Sequence, residues 1–213
     1  MSIKKVVITA AGMGTRLLSV TKEMPKEMLP LFGIGFNGDL SLKPVLQLIF
    51  EQLYDVGFRK FCFIVGRGKR CIEDHFTPDY NYVELLRRKD KESLAVELEK
   101  FYHKVETSVI AWINQPEPKG FGDAVLRAEP FVGGEPFLVH AGDTYVMSLK
   151  GAHIKRLLQA YKTYRPCAAL ILKEVKDLKK LYGCAKVEVD DHMMNVVYVV
   201  EKPERPPSNL AIM

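Results

Sequence analysis

Two short segments near the amino terminus carry residue types that could handle phosphate. The first is Gly12-Met13-Gly14-Thr15-Arg16. Two glycines let backbone N–H groups approach phosphate oxygens closely. Thr15 adds a hydroxyl, and the planar fork of Arg16 suits a bidentate grip on phosphate. The loop does not have the GxxxxGK[ST] form, which excludes a P-loop, and it lacks the third glycine of the dinucleotide fingerprint. Taken alone, a Gly-x-Gly turn reads equally well as an ordinary tight turn. The second segment is Pro25-Lys26-Glu27-Met28-Leu29-Pro30, in which two prolines restrict the backbone around one lysine. A fixed ammonium near a phosphate loop is a natural counter-charge for a leaving pyrophosphate. On its own it would pass as a solvated lysine, but the two segments lie within about twenty residues of each other.

The surrounding pattern must position them. Lys5 to Ala11 is a nearly continuous apolar run rich in β-branched residues, as expected of a strand covered on both faces. Further runs of this kind are 61–65, 108–113, 137–140 and 168–173. Helical stretches alternate with them. The segment 44–56 opens with Pro44 and stops at Gly57. The segment 81–105 reads as one or two charged amphipathic helices with Leu85, Leu86, Leu94, Leu98, Phe101 and Val105 as the buried stripe. The segment 149–164 is another helix. This alternation predicts an α/β fold, a three-layer Rossmann-like, mostly parallel sheet flanked by helices. After residue 182 two close runs, 185–189 and 196–201, predict a small β-hairpin added to the main sheet, with its turn at Asp190 and Asp191. In such a sheet ligands bind at the carboxyl ends of the strands, which is where the glycine loop falls. No internal repeat or long linker divides the chain, and a single domain over 1–213 is expected.

Composition narrows the class. The 213 residues carry 31 Lys+Arg against 26 Asp+Glu, a formal net charge of +5. With 47% hydrophobic and 27% charged residues, the chain has the balance of an ordinary globular protein rather than a fibre or a disordered segment. A charge this modest suits phosphorylated small molecules, and one Trp with no basic–aromatic interleaving argues against nucleic acid as a partner. The apolar run 6–11 is too short for a signal peptide or a membrane span. Cys62, Cys71, Cys167 and Cys184 form no CxxC and sit in or near apolar runs, so free buried thiols in a reducing, cytoplasmic setting are expected. The five His show no zinc-site spacing.

The stretch GMGTRLLSVTKEMPKEMLPL resembles the signature of sugar-1-phosphate nucleotidylyltransferases, in the manner of the prokaryotic UTP–glucose-1-phosphate uridylyltransferases. The resemblance continues in order through Lys43-Pro44, the segment Asn114 to Val125, Ala141-Gly142-Asp143, Tyr182-Gly183, Glu201-Lys202-Pro203 and Pro207 to Ile212. It implies transfer of a uridylyl group from UTP to glucose-1-phosphate, with release of pyrophosphate and assistance from Mg²⁺. By the same resemblance Arg16 and Lys26 are the catalytic residues, and Gly12, Gly14 and Thr15 hold the triphosphate with Arg16. Ala10, Ala11, Gln115 and Gly120 line the base site, where an amide can both donate to and accept from uracil. Asp143 is implied as the metal ligand, and an acidic side chain at a strand's carboxyl end suits a hard cation. Gly183, Glu201 and Lys202 are implied to face the sugar phosphate.

Plainer readings exist for several of these. Gln115 could be a surface strand end, Asp143 a helix N-cap, and Glu201 with Lys202 a solvated strand end. The chain also departs from the family pattern in having Ser19 where Pro is frequent and Thr144 where a second acid is usual. Relatives of this kind continue past Ile212, so the family's C-terminal part is expected to be lacking here. The alternatives are use of dTTP, whose thymine shows the same hydrogen-bonding edge, and a nucleotide- or sugar-nucleotide-binding protein without turnover. A dinucleotide oxidoreductase is the more distant rival. Assembly as a homo-oligomer is left open.

Overall fold

The computed structural model describes residues 3–176, 182–190 and 193–213. Two compact units follow one another, the first running to Gly151 and the second from Ala152 to Met213.

The first unit opens with strand β1 (Lys5–Ala10), a 3-10 turn (Thr15–Leu17) and the short helix α1 (Leu18–Thr21). A second 3-10 turn, Lys26–Met28, leads into a hairpin of β2 (Pro30–Ile34) and β3 (Leu40–Pro44). Helix α2 (Val45–Val56) and strand β4 (Lys60–Val65) come next. Three helices follow, α3 (Arg70–His75), α4 (Tyr80–Arg88) and α5 (Glu92–Glu106), and then strand β5 (Val109–Asn114). Helices α6 (Phe121–Leu126) and α7 (Glu129–Val132) precede strand β6 (Phe137–Ala141). The main sheet has the order β5-β4-β1-β6 and is parallel throughout.

Alternation along the strands gives the sheet two apolar faces, because successive side chains point to opposite sides. On one face Val7, Cys62 and Ile64 pack with Ala124, Ala128 and Val132 from α6 and α7. On the other, Phe61 and Phe63 meet an aromatic cluster. Phe50 of α2 lies 4.8 Å from Phe61, Phe76 lies 5.0 Å from Phe63 and 5.4 Å from Phe101 of α5, and Trp112 stacks on Phe63 at 4.7 Å. The layers are therefore α6–α7, sheet, then α2 with α5, as the alternating pattern predicts. Pro44 ends β3 and caps α2, and Gly57 closes that helix with φ 119°, a left-handed conformation that glycine adopts at little cost.

The long charged segment is two helices, one of the two arrangements expected, but their buried stripe is Val83, Leu86, Ala95, Phe101, Tyr102 and Val105, with the expected Leu85 and Leu94 exposed. The break between them, where Asp90 takes φ 56°, resets the helical phase. The β2–β3 hairpin has no counterpart in the sequence reading. Cys62 and Cys184 are buried, but Cys71 and Cys167 are exposed; all four are free.

The second unit contains helix α8 (Ala152–Tyr164) and strands β7 (Leu172–Glu174), β8 (Cys184–Asp190), β9 (Met193–Val200) and β10 (Leu210–Ile212). These strands form an antiparallel sheet in the order β7-β10-β8-β9. The expected hairpin is thus β8–β9, but it pairs with β10 instead of the parallel sheet, and the apolar run 168–173 contributes to β7 beside it. Asp190 is the last residue of β8; Asp191 lies outside the described residues. Among the described residues no helix is long and apolar enough to cross a membrane.

Candidate active site

The four parallel strands stop at one level. Ala10 stands opposite Val65, Val65 opposite Asn114, and Thr9 opposite Ala141. The residues just beyond the strands therefore follow one another along a single edge in the order Gln115, Gly66, Ala11, Gly142. Chain order moves from β1 outward to β4 and β5, then returns to β6 on the other side of β1. A crevice opens at such a reversal, outside the carboxyl ends of the strands.

The glycine loop crosses this crevice. Gly14 has φ 69° and ψ 25°, and its carbonyl accepts from Leu17 N at 2.9 Å and from Thr21 Oγ1 at 2.8 Å. Thr21, which the sequence reading passed over, thus ties the far end of the turn back to its start. Thr15 and Arg16 lie on the exposed 3-10 turn. Ala10 and Ala11 are buried at the root of the loop, so their backbone is what they can offer a ligand.

Lys26 meets the loop from the other side. A Cβ built on Gly12 would lie 2.9 Å from Lys26 Nζ, so the ammonium occupies the space that only a glycine leaves free. The same ammonium donates to Asp143 Oδ2, and Thr144 Oγ1 donates to Asp143 Oδ1 at 3.3 Å. Gly142, whose N–H donates to Thr9 O at 2.9 Å, fixes the backbone that carries Asp143. Burial pushes the Asp143 carboxyl up, but the hydrogen bond and charge of Lys26 outweigh it and hold the group below its ordinary 3.8.

Beside Lys26 in the same 3-10 turn stands Glu27, for which the sequence alone suggests no role. Glu27 is fully buried, and its Oε2 accepts from Lys69 Nζ at 2.8 Å. Its Oε1 is buried without a hydrogen-bond partner. Burial raises the Glu27 carboxyl above its ordinary 4.5, with Lys69 pulling the other way. The pair joins the Lys26–Met28 turn to the loop after β4. No local pattern announces a contact between positions 42 residues apart.

Gln115 is buried at the β5 end of the edge, and its N–H donates to Val65 O at 2.8 Å. Its Nε2 donates to Gly120 O at 3.1 Å and to Asp123 Oδ2 at 2.7 Å. Both partners are acceptors, so the amide nitrogen must face them and Oε1 is turned to a different side. Asp123 belongs to the family-like segment 114–125, which gives it no role of its own, and lies three residues past Gly120, which caps α6. The hydrogen bond from Gln115 lowers the Asp123 carboxyl.

In the second unit Cys184 pairs with Val200, which brings Gly183 and Glu201 to the same end of the β8–β9 ladder. A Cβ on Gly183 would lie 2.9 Å from Glu201 Oε2, and Lys202 Nζ donates to Glu201 Oε1. Lys202 has φ 44°. The three residues implied for a sugar phosphate are therefore adjacent within that unit.

Among the described residues no three His, Cys, Asp or Glu side chains converge as a metal cage. A divalent ion at Asp143 would take one carboxylate from the protein and its other ligands from water and phosphate. That oxygen-only, substrate-rich donor set is the one Mg²⁺ accepts.

A parallel α/β sheet with a glycine loop, a lysine and a carboxylate gathered at its switch point is the architecture of nucleotide-handling enzymes. The chain belongs to the nucleotidyl transferase family, whose model matches residues 5–213. It is similar to the UTP–glucose-1-phosphate uridylyltransferase of Pseudomonas aeruginosa, with 36% identity over 215 residues covering 99% of this chain and 72% of the relative. Among solved structures it resembles a UDP-glucose pyrophosphorylase complexed with UDP-glucose, with 31% identity, a TM-score of 0.78, and coverage of 99% and 74% of the two chains. It also resembles the UTP-bound enzyme of Acinetobacter baumannii, with 28% identity, a TM-score of 0.81, and coverage of 99% and 72%.

Proposed function

We propose that this chain transfers the uridylyl group of UTP to glucose-1-phosphate, giving UDP-glucose and pyrophosphate. The observation that carries the reading is the position of the Lys26 ammonium, against Gly12 of the phosphate loop and paired with Asp143 across the switch point. An oxygen of glucose-1-phosphate attacks the α-phosphorus in line, the bond to the bridging oxygen breaks, and pyrophosphate leaves with the electron pair. There is little covalent chemistry for the protein to perform, so its contribution is orientation and neutralisation of charge. Lys26 faces the place where negative charge builds, and Gly12, Gly14, Thr15 and Arg16 hold the triphosphate chain. Asp143 would hold Mg²⁺, which supplies positive charge to the phosphate oxygens.

The base lies toward β5, against Ala10 and Ala11. Because Asp123 and Gly120 O take the Gln115 amide protons, Gln115 Oε1 is left to accept from the N3–H of uracil. Gly183, Glu201 and Lys202 serve the sugar phosphate, Glu201 accepting from hydroxyls and Lys202 pairing with the phosphate. Four free thiols support a reducing, cytoplasmic setting.

The test is pyrophosphate release from UTP, glucose-1-phosphate and Mg²⁺, with dTTP, ATP and GTP in parallel. Release that requires both substrates and is fastest with UTP is expected. Release fastest with dTTP would reassign the base, and binding of UTP without release would leave a nucleotide-binding protein.

A further inference from the structure

Lys26 is presented by a turn too short to hold itself in place. Residues Lys26–Met28 form a single 3-10 turn, closed by Met28 N on Pro25 O at 2.9 Å and Leu29 N on Lys26 O at 3.2 Å. Within the turn only Glu27 is buried, so the one side chain that roots it in the protein is a carboxylate. That carboxylate reaches two further loops of the crevice. Its Oε2 accepts from the buried Lys69 Nζ, 2.8 Å away in the loop after β4. Its Cγ lies 3.4 Å from the position of a Cβ built on Gly142, the residue before Asp143. Glu27 thus follows Lys26 in the chain and packs against the backbone that presents Asp143.

Stability does not account for a charged pair at this place. Taking two charges out of water costs free energy, and apolar residues of similar volume often replace a buried ion pair without loss. Glu27 Oε1, buried with no hydrogen-bond partner among the described residues, adds to that cost. What an apolar pair lacks is direction. A leucine here would fill the space in more than one orientation, whereas the bond to Lys69 selects one. We propose that Glu27, held by Lys69, is the positioning residue of the Lys26–Asp143 pair and fixes where the ammonium meets Gly12 and the carboxylate. The inference rests on the uridylyl-transfer reading for the reaction that Lys26 serves. Lys26 and Asp143 come from the loops after β1 and β6 and Lys69 from the loop after β4, so one buried carboxylate ties all three together. A displacement of about 1 Å at such a group can lower a rate roughly a hundredfold.

The experiment uses two variants of the full chain. Glu27→Leu with Lys69→Met removes both charges together and leaves neither partner unpaired, so this double variant is expected to melt close to the wild type. Glu27→Asp keeps both charges but shortens the arm by one methylene, and it tests placement even where the double variant does not fold. In both, kcat for pyrophosphate release should fall roughly tenfold to hundredfold, with KM for UTP within about threefold of wild type. Added to Lys26→Ala, neither change should slow turnover further, because Glu27 acts through Lys26. A second readout needs no substrate: acetylation of Lys26 by acetic anhydride, followed by peptide mass against the exposed lysines. Released from its place, Lys26 should label severalfold faster than in the wild type. A folded variant with kcat within about twofold of wild type, a loss that adds in full to that of Lys26→Ala, or unchanged labelling of Lys26 would overturn the assignment. Faster labelling in a protein whose wild type releases no pyrophosphate from UTP would uphold the positioning role and remove the uridylyl reading instead.

Discussion

Lys26 and Asp143 are 117 positions apart in the chain, and the ammonium of one is hydrogen-bonded to the carboxylate of the other. The contact joins the loops after β1 and β6, the two strands between which chain order reverses. The Asp143 carboxyl stays below its ordinary value because the ammonium is there. A lysine so placed neutralises phosphate without a change of shape. Lys26→Ala is therefore expected to lower turnover by roughly two to three orders of magnitude, the scale of a lost transition-state donor. Thermal melting should move little, since the pair is partly exposed. Turnover near wild type would remove Lys26 from the chemistry.

Asp143→Asn separates the metal role from the pairing role. The amide can still accept a hydrogen bond from Lys26, but it carries no charge for a divalent cation. The Mg²⁺ concentration needed for half-maximal pyrophosphate release should rise about tenfold or more, and direct Mn²⁺ binding in the presence of UTP should weaken in parallel. An unchanged metal titration would show that the ion is held elsewhere.

Asp123 acts through Gln115. Its carboxylate accepts from Nε2 at 2.7 Å and fixes which end of the amide is offered to the base. Asp123→Ala frees the amide to rotate, so KM for UTP should rise roughly threefold to tenfold while kcat stays within about twofold. Selectivity for UTP over CTP should also fall, because a rotated amide can meet a donor or an acceptor. A fall in kcat with KM unchanged would contradict this positioning role.

These relationships differ in how far the sequence discloses them. The strand Lys5–Ala10 is visible because it is apolar on both faces, and α2 because Pro44 and Gly57 punctuate it. The β2–β3 hairpin hides behind Pro30 and Gly33, which look like breakers; Pro30 is tolerated as the first residue of a strand. The run at 168–173 reads as a strand but does not reveal its partner, since apolar composition does not distinguish a parallel from an antiparallel neighbour. Leu85 and Leu94 seem to share a stripe only if the helix is continuous, and the left-handed Asp90 breaks it. In the site, Gly12, Gly14 and Lys26 stand out by local spacing. Glu27 with Lys69, and Gln115 with Asp123, depend on chain crossings or on a side chain's rotation, for which one sequence carries no signal.

A titratable group outside the site also sets how stability depends on pH. His75 lies among Phe76 and Phe101, with ring centroids 5.6 and 5.0 Å away. Its Nε2 is 3.0 Å from Gln47 Oε1, while Gln47 Nε2 donates to Glu51 Oε1 at 3.0 Å. Glu51 orients the glutamine, so Gln47 Oε1 accepts and His75 Nε2 carries the proton in the neutral ring. Burial lowers the His75 pKa from 6.5 to about 4. Above pH 6.5 the ring is neutral folded or unfolded, and its contribution to stability does not vary. Between 6.5 and about 4 the unfolded chain takes up a proton that the native protein refuses, so stability falls as the pH drops. The loss attributable to this residue is about 3 kcal/mol at the lower end. His75→Gln cannot titrate, so urea unfolding across this range should show a slope shallower by up to one proton than wild type. Equal slopes in the two proteins would mean that His75 titrates normally in the fold.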